Sequence, residues 1–477
     1  MEVLLSLIAL LIAFAGGLGS ALLLTPVKPP RGWWELSGTA LVFGAGIVSL
    51  SSFCLGFFVQ GAVLRWIITS ACITLLLFGW RYHREPLLVR LDTIQAITAA
   101  IVVVQVGLVT WLSFYRFHLG WDGLFNWESK ARIAFFNHGA MPLSFYTGRL
   151  DFFHNGYPLF FPLLESWIYG WVGNVNQTLI KLIGPYFYLA SVLLAIAAVS
   201  RLSKFRWAGV LAAVLLGLTP ALIAGEGSAS SGYADFTLAA VSLCAVVHCA
   251  VYWQTGAIEA ARLTGASAMF LPFIKTEGYI SLLLIALAVI PKVVRDRSWK
   301  IGLWLLGPGL ATWLGWTVFL RLTHSFPEHD FRPLTVHNFL AGGPRVPDIV
   351  RWSFQELVAW SHWSLLWPLA IAAIIVMVFR NPMPDWYPWA VNIVVPLALF
   401  PATYILSGWE PVEPHLKSSL WRLWLHSAPT AVVVSAALLA RLAAIENRKA
   451  TVSSIQAPAL GRTKRPTYDS SGQRIRY

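Results

Sequence analysis

"MEVLLSLIALLIAFAGGLGSALLL", residues 1–24, decides the fold class. Glu2 is its only charged side chain, and its apolar run of about 22 residues is long enough to cross a bilayer. A secretory signal opens with a basic segment. This stretch has none, so it is expected to stay in place as a first membrane span. Moving outward, similar runs recur near 38–60, 62–80, 93–114, 178–200, 207–223, 234–253, 301–320, 362–380, 387–407 and 427–445. Residues 262–293 form two shorter runs broken at "KTEG", counted as a pair of spans.

Composition agrees. Hydrophobic residues make up 57% of the 477 and charged residues 12%, against about 25% charged in soluble domains. The 24 Trp and 28 Phe suit aromatic belts at the membrane surfaces. The expected fold is an all-α polytopic membrane protein of about 13 transmembrane helices, with juxtamembrane amphipathic helices on the extracytoplasmic face. It would occupy residues 1–445, followed by a basic, disordered cytoplasmic tail at 446–477. Cys54, Cys72, Cys244 and Cys249 all lie in apolar runs without a CxxC, so neither a disulfide framework nor a zinc site is expected.

Lys and Arg in short connections set orientation. With the N-terminus outside, the inside connections carry Lys28 and Arg31; Arg81, Arg84 and Arg90; Arg201, Lys204 and Arg206; Arg262; Lys292, Arg295, Arg297 and Lys300; and Arg380. Together with Arg441 and the tail they hold most of the 35 basic residues. The short outside turn near 60 has only Arg65. Every His except His83 and His248 falls outside, as do most acids. They concentrate in segments 115–177, 321–361 and 408–426. The extracytoplasmic face of the inner (plasma) membrane is therefore the expected working face, and the C-terminus is cytoplasmic. A transporter tends to place its polar groups near the bilayer midplane instead.

Four segments carry candidate chemistry. In "GWDGLFNWESKAR" (120–132), Trp121, Phe125 and Trp127 suit a seat at the membrane surface. Asp122 is a helix N-cap or a catalytic acid, with Glu128 a second candidate. Lys130 and Arg132 are placed to orient or tune the acid. Two interfacial helices are expected, one over 123–138 and one after "HNGYP" to about 172, with Pro158 in its first turn. In "GEGSASSGYAD" (225–235), a Gly/Ser turn leads to Tyr233 and Asp235; either it is a tight outside turn with Asp235 capping the span, or it forms a site floor contacting sugar hydroxyls. In "LPFIKTEGY" (271–279), Lys275 and Glu277 form a structural ion pair or a site, since ionisable groups at membrane depth are functional candidates. In "EPHLKSSLWRLWLHSAP" (413–429), Leu416, Leu420 and Leu423 share one helix face. Lys417 and Arg422 lie off it, as snorkelling anchors or, for Arg422, as a phosphate ligand.

The "WD" segment after a span, "HNGYPLFFPLLESWIYGWVG", "GYADFTLAA", "LPFIKTEGY" and "HLKSSLWRLWLHSAP", in that order, resemble the GT-C glycosyltransferases. The likeness is to bacterial relatives of protein O-mannosyltransferases and lipid A aminoarabinose transferases, over roughly residues 93–445. The resemblance implies an inverting glycosyltransferase of the cell envelope. It would move a sugar from a polyprenyl-phosphate carrier to a hydroxyl on a glycan, lipid or protein. Asp122 matches the first-loop acid, the candidate general base. Here that acid stands alone where close members often show a pair. "HNGYP" places His154 and Tyr157 near the site. "KTEG" matches the family's motif in part, with Lys before Thr. Arg422 matches a basic position before the last span.

The implied chemistry is an in-line displacement with Asp122 as base and Arg422 and Lys275 as ligands of the donor phosphate. Glu128, Lys130, His154, Tyr157, Asp235 and Glu277 would bind substrate. No cofactor is expected. The outside acids and histidines offer a divalent metal no close ligand spacing. No Walker or dinucleotide fingerprint occurs, in keeping with a lipid-linked donor. Membrane lipids are expected partners and nucleic acid is not. The rival readings are a transporter or flippase of a lipid-linked glycan, which predicts inverted repeats that the sequence does not display, and a non-catalytic membrane subunit.

Overall fold

A computed structural model describes residues 1–25, 32–83, 92–115, 119–147, 154–325, 330–380, 386–456 and 470–471, with side chains to residue 445 in the last helix. Lys28, Arg31, Arg84, Arg90, His118 and His329 lie outside the described residues, as does most of the tail. Four long helices open the chain: α1 (Glu2–Leu24), α2 (Trp33–Leu55), α3 (Gly61–Tyr82) and α4 (Thr93–Tyr115). Three shorter ones follow: α5 (Ser129–Phe136), α6 (Leu143–Thr147) and α7 (Phe160–Val172). α8 (Ile183–Ser203) leads to α9 (Ala208–Gly217) and α10 (Pro220–Ile223). Short turns then join α11 (Ala234–Thr255), α12 (Ile258–Ile274), α13 (Gly278–Arg295) and α14 (Trp299–Leu322). After α15 (Val336–Ala341), α16 (Val346–Leu357) and α17 (Trp360–Trp363) come α18 (Leu366–Arg380), α19 (Tyr387–Thr403), α20 (Glu413–Leu425) and α21 (Ala428–Gln456).

Ten of the described helices are long and apolar enough to cross a membrane. The chain is an all-α polytopic membrane protein. α9, α12 and α18 occupy the three other stretches expected to span. They have 10, 17 and 15 residues and are shorter than the ten spans, though each reverses the chain direction between its neighbours. α9 ends at Gly217 and α10 begins at Pro220, a residue suited to a helix's first turn and not its interior. The last helix runs to Gln456, so the expected tail boundary at 445 falls inside a helix.

The outer surface of α3, α4 and α14 exposes large apolar side chains such as Leu77, Val103 and Leu303, as a lipid-facing surface requires. α11 is the opposite case, buried along nearly its whole length. Small residues let backbones meet. A side chain on Gly17 of α1 would overlap the Ala40 carbonyl of α2, and one on Gly44 would overlap that of Ala13. Trp167 on α7 donates 3.1 Å to the Ala9 carbonyl, tying α1 to the second interfacial helix. Arg65, the basic residue at odds with the orientation pattern, donates to the Gly170 carbonyl in the last turn of α7. It satisfies an acceptor that a helix terminus leaves open.

Candidate functional site

The chain turns into the site at Gly120. Its φ is +81°, and a Cβ there would lie 2.7 Å from Tyr233 Cε1. Both the left-handed backbone and the missing side chain are therefore needed. A π-helical turn, Gly123–Glu128, follows and runs directly into α5. Such widened turns recur at functional sites, and this one replaces the first part of the α-helix expected over 123–138. The Asp122 side chain makes no capping bond. Its carboxylate accepts a 2.6 Å bond from Arg422 on α20, while its backbone N–H donates 3.3 Å to the Tyr233 hydroxyl.

Arg422 is the hub. Its side chain is 13% exposed, and a second bond runs 3.0 Å to Asp235, which is wholly buried in the first turn of α11. The Tyr233 ring lies 4.7 Å from the guanidinium, within cation–π range. Lys275, at the break between α12 and α13, donates 2.9 Å to Asp235 and lies 2.9 Å from Glu277. The result is a line of alternating charge: Glu277, Lys275, Asp235, Arg422, Asp122. His426 Nε2 sits 3.3 Å from Asp235. With His426 neutral the line carries one net negative charge. Gly227 makes room for it. Its φ is +76°, and a Cβ would lie 3.3 Å from Asp235 Cβ and 3.4 Å from Arg422 Cγ.

The line forms one wall of a cavity of about 350 Å³. Its lining comes from the connections after α4, α12, α14 and α19, from α20 and from the approach to α11. These are helix ends that the alternating chain direction brings to one end of the bundle. Asp122, Tyr233, Lys275, Glu277 and Arg422 face the space, as do His154 and Tyr157 from the connection before α7.

Burial disfavours charge on Arg422, but Asp235 and Asp122 outweigh it and hold the guanidinium well above its usual range. Lys275 follows the same pattern: burial opposes its charge, and Asp235 and Glu277 raise its pKa. Burial, then Lys130, lowers the His154 pKa, and this residue has a left-handed φ of 45°. Burial, then Asp122 and Glu226, pushes the Tyr233 hydroxyl above the ordinary phenol range.

Several expected site residues lie elsewhere. Glu128 is 1% exposed and does not line the cavity. Both its oxygens take bonds from Arg132, and Tyr169 on α7 donates to it at 2.9 Å. It thus fastens α5 to α7. Arg132 is spent on that pair, so it does not tune Asp122. Lys130 is fully buried, donating 2.7 Å to Asn126 Oδ1 and 3.0 Å to the His154 carbonyl. It supports two lining residues from behind, and Arg422, not Lys130, holds Asp122. Asp235 lies beneath the wall rather than on it. Its helix is capped at Tyr233, not by Asp235. Pro158 precedes α7, whose N-cap is Leu159. The Leu416, Leu420 and Leu423 face is buried as expected, and Lys417 pairs with Glu413 away from the cavity.

Sequence reasoning missed Asn126, Glu226, Asp330, Phe331, Trp409 and His415 as lining residues, and His426 as a partner of Asp235. One signal was available. Asp330 and Trp409 each follow closely on a spanning helix, where polar and aromatic residues gather at the same membrane end.

No protein-family model matches the chain, and no curated protein matches it at a significant level.

Proposed function

We propose that the protein is an inverting glycosyltransferase that takes a sugar from a polyprenyl-phosphate carrier and passes it to an acceptor hydroxyl. Asp122 carries this reading: a carboxylate on the wall of a polar cavity, 2.6 Å from an arginine that is itself largely buried. Transfer needs a base to take the acceptor proton and cations aimed at the departing phosphate. Asp122 supplies the first, and Arg422 and Lys275 the second. The acceptor O–H proton goes to Asp122 as its oxygen forms a bond to the anomeric carbon. The bond from that carbon to the phosphate oxygen breaks, and its electron pair leaves with the phosphate.

Arg422 holds Asp122 in the resting site, so a donor phosphate that engages Arg422 competes with Asp122 for its N–H groups. Arginine's fork suits both partners. Asp235 keeps Arg422 in place during the exchange. The positive-inside distribution of Lys and Arg supports placing the cavity on the extracytoplasmic face. A position at one end of the bundle favours an enzyme over a flippase, which needs a polar path across the membrane. The order of the sequence motifs, matching that of GT-C enzymes, supports the same choice.

The test is Asp122→Asn in purified protein supplied with polyprenyl-phosphate sugars and cell-envelope acceptors. Transfer should fall by about 10²–10⁴-fold, while photo-crosslinking to a polyprenyl-phosphate probe is retained. Undiminished transfer would remove Asp122 as the base. Carrier translocation in vesicles without any sugar transfer would favour the flippase.

A further inference from the structure

At the cavity mouth the connection after α14 meets the connection after α19. Arg332 N–H donates 2.7 Å to the Leu406 carbonyl, and Gly408 N–H donates 2.8 Å to that of Asp330. These bonds set Phe331 opposite Ser407 in an isolated antiparallel bridge. Glu410 binds Arg332 at 3.1 Å and also Arg345, bracing the same junction. The Ser407 hydroxyl pairs with His415 Nδ1 at 2.9 Å and accepts 3.1 Å from the Trp409 backbone N–H.

This scaffold presents aromatic rings to the cavity in a fixed arrangement. The Trp409 indole stacks on His415 with centroids 4.8 Å apart and planes 21° apart. His415 is buried while Trp409 is 43% exposed, so one indole face is backed and much of the ring remains open. Phe331, 42% exposed, packs 5.1 Å from the same imidazole. Burial lowers the His415 pKa, which suits stacking without a charge. Asp330 and Glu226 also line the cavity, and neither is in an ion pair among the described residues.

We propose that Trp409, backed by His415 and flanked by Phe331, is a platform for a pyranose ring of the substrate. A pyranose offers a C–H face to an aromatic ring and a rim of hydroxyl donors to carboxylates. Asp330 and Glu226 supply those acceptors. Carboxylates repel an anion, so the phosphate is left to the two cations, Arg422 and Lys275. This inference rests on the glycosyltransferase reading for its ligand class and names the residues that hold the sugar. The ring belongs either to the donor's sugar or to the acceptor's, and the same chemistry serves both.

The test is saturation-transfer NMR with methyl α- and β-hexopyranosides on the full chain in lipid nanodiscs, free of sugar-based detergent. Ring C–H protons should receive saturation, and the open-chain alditol sorbitol should not. In Trp409→Ala the signal should fall roughly 2- to 10-fold, the range expected for one aromatic contact. Trp409→Phe should restore most of it and guards against misfolding, as does Phe331→Ala, which should weaken the signal alone. Displacement of the glycoside by a polyprenyl-phosphate hexose assigns the platform to the donor sugar, and persistence assigns it to the acceptor. Either outcome supports the platform. Absence of ring saturation, or a signal unchanged in Trp409→Ala, overturns it. The measurement needs no turnover. A platform signal without transfer from any donor would therefore overturn the glycosyltransferase alone, and transfer without the signal would overturn the platform alone.

Discussion

Asp235→Asn removes the central carboxylate of the buried charge line. That group receives Lys275 at 2.9 Å, Arg422 at 3.0 Å and His426 at 3.3 Å, with no solvent exposure. Breaking a buried pair by deleting one partner costs about 3–5 kcal/mol, because the other charge stays buried. Here each cation keeps a second acid, Glu277 for Lys275 and Asp122 for Arg422. The cost should therefore sit at the low end, about 3 kcal/mol. Lys275→Met should cost a similar amount. Replacing both members of a buried pair by neutral groups is often tolerated, so the double variant should cost about 3–4 kcal/mol rather than about 6, a coupling of about 2–3 kcal/mol. Reversible unfolding in mixed micelles of rising SDS fraction, followed by tryptophan fluorescence, yields the four free energies. Additivity to within about 0.5 kcal/mol would refute a coupled line. The Arg206–Asp92 pair, 79% and 43% exposed, is the contrast: Arg206→Ala should cost no more than about 1 kcal/mol.

Gly227→Ala forces a left-handed backbone on a residue with a Cβ, which costs about 1–2 kcal/mol, and crowds Asp235 and Arg422. Unfolding in the same micelles should show that loss, and donor crosslinking should weaken with it. Glu165 is buried, and burial, then Glu128, raises its pKa well above 4.5. The folded state then holds a proton that the unfolded state releases, so this contribution is complete below about pH 4.5 and is lost as pH rises towards the folded value. Glu165→Gln should remove that loss and stabilise the protein at pH 8 more than at pH 5. His154 has the opposite sign. Its pKa is lowered from 6.5, so the folded state resists protonation and stability falls as pH drops below that value. His154→Gln should flatten the acid limb of the unfolding profile.

Apolar runs placed nearly every helix, because a bilayer constrains length and composition over some 20 residues at a time. "KTEG" was legible as a break because two charges and a glycine interrupt an apolar stretch, and α12 and α13 indeed flank it. Orientation then put Asp122, Lys275 and Arg422 at one membrane end, and the fold brings them into one cavity. Finer positions depended on which way a side chain turns. Glu128 lies six residues from Asp122 and is drawn to Tyr169 on α7, a contact 41 residues away that no local pattern encodes. The Arg422–Asp122 bond joins residues 300 positions apart, so sequence could nominate each but not pair them. His426 was legible only as one of the outside histidines, and its pairing with Asp235, 191 positions away, was not.

The glycine crossings of α1 with α2 have a consequence for scoring substitutions. Any scale that rewards apolarity ranks Gly17→Leu and Gly44→Leu as better membrane segments than the native ones. The backbones at these crossings leave no room for a methyl group, so both changes would push the helices apart. Insertion propensity and fitness thus run in opposite directions along this seam. A sequence library selected only for membrane integration would steadily erase the contact that joins the first two spans.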